Sequence, residues 1–254
     1  SPYLQTGPVA LTSLLTLGAL SAIAAPGSQI YIALAVLLAL VVGIARIIVG
    51  LVKEGRISYL MSRPVLQGFT IAAALLIVAS QLPGALGVSA PDGGVIGRAW
   101  WALSHPGEWE TASVALASLT GILILGSRRI HPLVPGVLFA TLIGIGFSLA
   151  TGYGGTTVGD VPAGLPPLPR SLPWSQLPLL VIPGGVIALV GFAEAASITR
   201  TFAVMDRRPW DPHREFISQG VANVAAALSS GFPVGGSFSR SSLNHLAGAR
   251  SRWS

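Results

Sequence analysis

The stretch Gly231-Phe-Pro-Val-Gly-Gly-Ser-Phe-Ser-Arg240 lies between two apolar segments near the end of the 254-residue chain. Its proline and glycines break an apolar region, which lipid tolerates only where the backbone is buried in protein or lines a cavity. Ser237 and Ser239 are candidate helix caps, and Arg240 adds a cation. A helix that begins here points free N–H groups and the positive end of its dipole into the cavity. The stretch therefore predicts an anion-binding site.

The composition around this stretch is that of a polytopic membrane protein. Hydrophobic residues make up 52% of the chain and charged residues 9%, whereas a soluble domain carries about 25% charged residues. Long, nearly uncharged runs recur, which favours many spans over a single anchor. The net charge is +6 and cysteine is absent, but no basic patch is interleaved with aromatic residues. We therefore expect the lipid bilayer as a partner and no nucleic acid, and no thiolate metal site.

Apolar runs and helix breakers predict eight membrane segments, at about residues 8–25, 28–52, 64–83, 111–126, 133–150, 177–200, 215–230 and from 236 onward. Residues 89–110 and the proline-rich residues 151–176 are interpreted as loops. Loops on alternate sides carry nine and two basic residues, so the positive-inside rule places the basic loops in the cytoplasm. Arg46, near the inner end of the second segment, is expected to snorkel. Because the chain begins without methionine, we expect a fragment of a longer protein.

A second interrupted segment, Gln5-Thr-Gly-Pro-Val-Ala10, shares glycine, a hydroxyl and a helix start with the first. Thr6 is a candidate N-cap, and Pro8 is expected just inside the helix. Both helices are shorter than a full span of about 20 residues. Such a pair indicates a transporter site near the bilayer midplane. For either segment alone, an ordinary loop followed by an ordinary helix is the better explanation, and only the two segments together favour a site.

Two ionisable residues are candidates for the chemistry of such a site. Arg240 opposes the helix dipole unless an anion lies between them, although Glu194 or a backbone carbonyl is an alternative partner. Glu194 is the only carboxylate inside an apolar run, and low dielectric favours its neutral form, so it is a candidate proton carrier. A salt bridge, or a position near the cytoplasmic interface close to Arg200, is the alternative. No nucleophile–base set or metal-ligand spacing is visible, so we expect no enzyme activity, cofactor or metal.

The sequence resembles the SulP family of sulfate permeases and related anion transporters. The likeness is carried by the motifs Thr6-Gly-Pro-Val-Ala-Leu-Thr-Ser13, Ser62-Arg-Pro-Val-Leu-Gln-Gly-Phe69, Ala193-Glu-Ala-Ala-Ser-Ile-Thr-Arg-Thr-Phe-Ala203 and Gly235-Gly-Ser-Phe-Ser-Arg-Ser241. It implies an all-α polytopic membrane protein, part of a 7+7 inverted-repeat fold, covering segments 3 to 10. Segments 3 and 10 are then half-helices preceded by short strands. The implied domains are a core (1–63 and 177–254), a gate (64–150) and an extracytoplasmic loop (151–176).

The resemblance also implies a site and an activity. The anion is expected among Pro8, Val9, Ala10, Ser13, Ser237, Phe238, Ser239 and Arg240, and Glu194 matches the family's proton-coupling position. The leading hypothesis is symport of sulfate with a proton, by alternating access, in a homodimer in the cell membrane. The alternatives are transport or exchange of bicarbonate, chloride or dicarboxylate, with sodium as a further coupling ion, and an anion channel.

Overall fold

The computed structural model describes residues 2–54, 63–131, 134–155, 164, 168–169 and 171–249. These residues form nine α-helices and two short β-strands. The helices are α1 (Ala10–Leu20), α2 (Gln29–Leu51), α3 (Arg63–Leu86), α4 (Val95–Ser104), α5 (Thr111–Ile130), α6 (Gly136–Thr151), α7 (Leu177–Met205), α8 (Pro212–Leu228) and α9 (Phe238–Leu246). The strands are β1 (Gln5–Gly7) and β2 (Gly235–Ser237). A helical fold with a short strand before each of α1 and α9 confirms the predicted fold class.

The chain forms two compact units, one of residues 1–69 and 164–254, the other of residues 70–163. The first unit contains α1, α2, α7, α8, α9 and both strands. The second contains α4, α5, α6 and most of α3. Both interrupted segments of the sequence therefore belong to the first unit. The assignment of residues to core and gate domains stays a prediction.

Helix α2 is central to the first unit because it packs against both α7 and α8. Its buried leucines form one apolar cluster with side chains of α1 and α7, namely Leu34, Leu37, Leu38, Leu20, Leu180 and Ile187. Against α8 the approach is closer still. A Cβ at Gly43 would lie 2.9 Å from the carbonyl oxygen of Gly220, and a Cβ at Gly220 would lie 2.8 Å from that of Gly43. Small residues allow two helix backbones in a membrane to approach this closely.

The second unit contains an element that the sequence interpretation missed. Residues 89–110 were expected to be a loop, but they include the ten-residue helix α4. Its length is about 15 Å, well short of a membrane span. Trp109 donates a hydrogen bond from Nε1 to the carbonyl of Ala102 at 2.9 Å, which fixes the segment that follows α4. Prolines and glycines on both sides of a short apolar stretch gave it the appearance of a connection.

Several predicted helix limits were wrong; among them, α1 ends at Leu20 and not at residue 25, and α5 continues to Ile130, past the predicted end at residue 126. The first helix begins at Ala10, not at Pro8, and Thr6 lies in β1, where it cannot act as an N-cap. The last helix begins at Phe238, since residues 235–237 form a strand. Helix α7 continues to Met205, past the predicted end at residue 200. At the starts of α1 and α9, pairing between the distant strands β1 and β2 replaces the helix that the local sequence favours.

Two helices of the described part are long and apolar enough, by length and composition, to cross a membrane. They cover Gln29–Leu51, with mean hydropathy 2.9, and Trp174–Met205, with mean hydropathy 2.0. Shorter apolar helices are Ala10–Leu20, Ala74–Leu86, Thr111–Ser127 and Gly136–Thr151. The count of eight segments and the orientation stay predictions. Arg56, Ser62, and Arg170 together with other parts of the loop 151–176, on which parts of those predictions depend, lie outside the described residues.

Candidate functional site

Strands β1 and β2 bring the two interrupted segments of the sequence together. They pair antiparallel, with Gln5 opposite Ser237, Thr6 opposite Gly236 and Gly7 opposite Gly235. Each strand has three residues, so the ladder is only about 10 Å long. Helix α9 follows β2 directly, and α1 begins shortly after β1. Because the strands are antiparallel, the two helices begin at opposite ends of the same short ladder.

The glycines of β2 are required by its neighbours. A Cβ at Gly236 would lie 3.1 Å from the Cα of Ala195 in α7. At Gly235 it would lie 3.0 Å from a methyl carbon of Val9 and 3.1 Å from that of Thr12. These distances are shorter than ordinary carbon contacts, so a side chain at either position would push the strand away from α7 or from α1. The paired glycines thus fix the depth of β2 in the first unit.

Helix α8 holds the ladder from one side through two buried amides. The side chain of Asn223 accepts the N–H of Val234 at 3.0 Å and donates to its carbonyl at 3.0 Å. Gln219 donates from Nε2 to the hydroxyl of Thr6 at 2.8 Å. Asn223 is fully buried and Gln219 is 2% exposed. Buried polar groups with good partners rigidify their surroundings, so the two strands are held in place before any ligand arrives.

The helix starts carry donors suited to an anion. At α1, Val9 occupies the N-cap position without a side-chain cap, and the first amides of a helix have no partner within it. At α9, Ser237 accepts the N–H of Arg240 at 3.4 Å. The hydroxyl of Ser239 lies 3.4 Å from that of Ser237. Ser237 is therefore a helix cap as predicted, whereas Ser239, the other predicted cap, lies inside α9. The positive ends of both helix dipoles lie at the ladder.

Arg240 connects the two helix starts. Its Nη2 donates to the carbonyl of Pro8 at 2.8 Å. Its guanidinium also lies against Gly7, where a Cβ would be 3.1 Å from Nη1. Of the partners considered from the sequence, the structure thus has the backbone carbonyl and not Glu194. The cation remains at the entrance to the region between α1 and α9, and its side chain is exposed.

The remaining predicted site residues are found at this same place. Ser237 is buried and Val9 half-buried, whereas the exposed members are Pro8, Ala10, Ser13, Phe238, Ser239 and Arg240. A cavity of about 640 Å³ lies elsewhere in the first unit and is lined by residues such as Asp206, Arg208 and Glu215, with none of the predicted site residues. The candidate site is therefore at the helix starts and not in that cavity.

Glu194 lies in α7 beside the strand that carries half of the site. It directly precedes Ala195, which contacts Gly236. Its side chain is half-buried. Among the described residues it has no hydrogen-bond or ion-pair partner, so the alternative of a carboxylate fixed in a salt bridge receives no support from them.

Arg46 was misread from the sequence. It was expected to snorkel to the interface, yet its side chain is 0% exposed. Its guanidinium donates to the carbonyls of Ala188 at 3.1 Å, Ile187 at 3.3 Å and Val234 at 3.2 Å. The apolar residues 47–52 that follow it were a signal of depth, because a side chain more than one helical turn from the loop cannot easily reach water.

Comparison with known proteins finds similar sequences over the whole chain. A sequence model described as the sulfate permease family matches residues 1–254. Among curated proteins, probable sulfate transporter 4.2 of Arabidopsis thaliana is 33% identical, over 98% of this chain and 38% of its own length. A probable sulfate transporter of Mycobacterium tuberculosis is 33% identical, over 99% of this chain and 46% of its own length. The chain spans less than half the length of these two relatives.

Solved structures show the same fold. The transmembrane domain of BicA, described as a cyanobacterial bicarbonate transporter, aligns with a TM-score of 0.83 at 24% identity, over 99% of this chain and 66% of that one. Murine solute carrier 26 family member A9, described as an anion transporter in the inward-facing state, aligns with a TM-score of 0.86 at 19% identity, over 99% of this chain and 46% of that one. Both have the inverted-repeat transporter fold, and at these identities the likeness shows the fold alone.

Proposed function

The chain belongs to the sulfate permease family, and we propose that it forms the central part of a secondary active transporter that carries sulfate with a proton. The family and its solved neighbours are integral membrane transporters of anions. The names of the curated relatives favour sulfate among small inorganic anions. Because the chain is shorter than those relatives, the proposal concerns the complete protein.

The observation that carries the proposal is the β1–β2 ladder, which holds the starts of α1 and α9 at the two ends of one short pair of strands. Two dipole ends and one guanidinium then favour negative charge in one place. Sulfate oxygens only accept hydrogen bonds, and the groups nearby are donors: backbone amides of α1, the hydroxyls of Ser13, Ser237 and Ser239, and Arg240. This donor set supports the predicted substrate-binding residues.

Proton coupling is proposed for Glu194. With no partner among the described residues, and half-buried in an apolar helix, this carboxylate is suited to exist in both the neutral and the charged form. It adjoins the residue against which β2 packs. In the proposed cycle, protonation of Glu194 removes a negative charge close to the site and so favours sulfate, and release of the proton favours release of the anion. Each anion is then accompanied by a proton.

The proposed mechanism is alternating access. The core, residues 1–63 and 177–254, contains both half-helices and would move with the bound anion against a gate of residues 64–150. Residues 151–176 would form an extracytoplasmic loop, and the basic loops would face the cytoplasm. The complete protein is proposed to be a multi-pass protein of the cell membrane and a homodimer.

The test is uptake of labelled sulfate by the complete protein in proteoliposomes at two external pH values. We expect saturable uptake that increases as external pH falls and that unlabelled sulfate inhibits. Stronger inhibition by bicarbonate, chloride or a dicarboxylate would reassign the substrate, and dependence on sodium would reassign the coupling ion. Currents far larger than a carrier cycle allows would indicate a channel and contradict the proposal.

A further inference from the structure

Arg46 is a buried charge in the interior of the first unit. It lies on α2, one of the two helices long enough to cross a membrane, and its side chain has no exposed surface. A charged group is removed from water only at a considerable free-energy cost, several kcal/mol even after relaxation. Ionisable residues inside membrane segments consequently tend to have a function.

The hydrogen bonds of Arg46 satisfy its donors without neutralising its charge. All three go to backbone carbonyls, two in α7 and one directly before β2. Within the described ranges, no carboxylate lies within salt-bridge distance of the guanidinium. Carbonyl dipoles orient the group, but they leave one positive charge in the interior that an anion could balance.

The guanidinium lies directly behind the candidate site. One of its three acceptors is the carbonyl of Val234, the residue that precedes β2. A Cβ at Gly191 would lie 2.8 Å from Nη2 of Arg46 and 3.4 Å from the methyl carbon of Thr12, so these two groups border the same small volume. Thr12 belongs to the first turn of α1. Arg46 therefore binds the residue directly before β2, and its guanidinium lies across one small volume from Thr12 in α1.

We propose that Arg46 is a second cation of the anion site, one that acts through the electric field and gives the site its preference for divalent over monovalent anions. This inference rests on the proposed transport function. Arg240 is exposed at the entrance and contacts the site directly, whereas Arg46 is fixed in low dielectric, where its field is screened less. Because Coulomb energy is proportional to ligand charge, the field of Arg46 favours sulfate twice as much, in free energy, as a monovalent anion.

The experiment compares Arg46→Gln, which removes the charge, with Arg46→Lys, which keeps it, in the complete protein. The KM of labelled sulfate and the inhibition constant of chloride, a monovalent competitor, are measured for each. At an assumed separation of roughly 10 Å and an effective dielectric constant of about 20, loss of one charge weakens the binding of a monovalent anion about 15-fold and that of a divalent anion about 300-fold. We expect those two unequal changes in Arg46→Gln, and an unchanged sulfate-to-chloride ratio in Arg46→Lys.

Equal factors for sulfate and chloride in Arg46→Gln, or a loss of maximal rate alone, would overturn the inference in favour of a structural role. A change confined to the pH dependence of uptake would also overturn it, because the charge of Arg46 would then act on the protonation of Glu194 and not on the anion. If neither variant reaches the membrane, Gly191→Ala replaces them, because its new methyl would displace the guanidinium of Arg46. The control is Gly185→Ala, whose methyl meets no atom within 4 Å. Gly191→Ala is then expected to raise the KM of sulfate by a larger factor than the inhibition constant of chloride, and equal factors refute the inference. A wild-type protein that carries no anion would instead refute the proposed function.

Discussion

Replacing Gly43 by alanine tests the close packing of α2 against α8 that supports the candidate site. The new methyl would lie 2.9 Å from the carbonyl oxygen of Gly220 and 2.8 Å from the backbone nitrogen of Val224. Both neighbours are backbone atoms of a helix, so relief requires the helices to separate by roughly half an ångström. Overpacking of this kind costs about 1–3 kcal/mol, against a gain of about 1 kcal/mol from replacing glycine by alanine in a helix. The expected net effect is a destabilisation of up to about 2 kcal/mol.

The separation would also disturb the site, because Gly43 lies one turn before Arg46 and Gly220 one turn before Asn223. Both of those side chains bond the carbonyl of Val234. The assay is thermal unfolding of the purified protein in detergent, followed by sulfate uptake. At about 2–4 °C per kcal/mol, we expect a fall in the melting temperature of several degrees and weaker uptake. The control is Gly185→Ala, which gains helix propensity without a close contact. If both variants melt alike, the packing argument is refuted.

Three further predictions concern the site, each measured as sulfate uptake by the complete protein. Arg240→Ala should raise the KM for sulfate about tenfold or more through loss of a charged donor, and Arg240→Lys should lose less; an unchanged KM would remove Arg240 from the site. Glu194→Gln should abolish the increase of uptake at low external pH while exchange of labelled for unlabelled sulfate continues; intact proton dependence would reject the carrier. Asn223→Leu leaves the N–H of Val234 unpaired, at about 1–3 kcal/mol, and should weaken sulfate binding; Ser229→Ala, at the exposed C-cap of the same helix, is the control.

Of the two half-helix starts, only the cap of α9 could be predicted from local sequence. Ser237 caps α9 because a hydroxyl just before a helix accepts a first-turn amide, and that requirement is visible in the residues themselves. The strands could not be derived in the same way. Gln5 and Ser237 are distant in the chain, and three-residue strands carry no periodicity from which to recognise them. Their presence was implied only by the family resemblance.

Two of the errors, those at Arg46 and Pro8, have a common physical origin in tertiary contacts. Arg46 was judged by its distance in sequence from a basic loop, but the carbonyls that bind it belong to α7 and to Val234, far along the chain. Pro8 was placed inside a helix because proline suits a first turn. Its carbonyl instead accepts a hydrogen bond from Arg240. Such partners are fixed only when the whole unit has folded.

The location of a bound anion tests the central claim most directly. Selenate has the shape and charge of sulfate, and its selenium can be located by anomalous scattering in crystals of the complete protein. We predict a selenium peak between the first turns of α1 and α9, within hydrogen-bond reach of the hydroxyl of Ser239 and the guanidinium of Arg240. A peak elsewhere, with an empty space between those two helix starts in protein that transports selenate, would contradict the account.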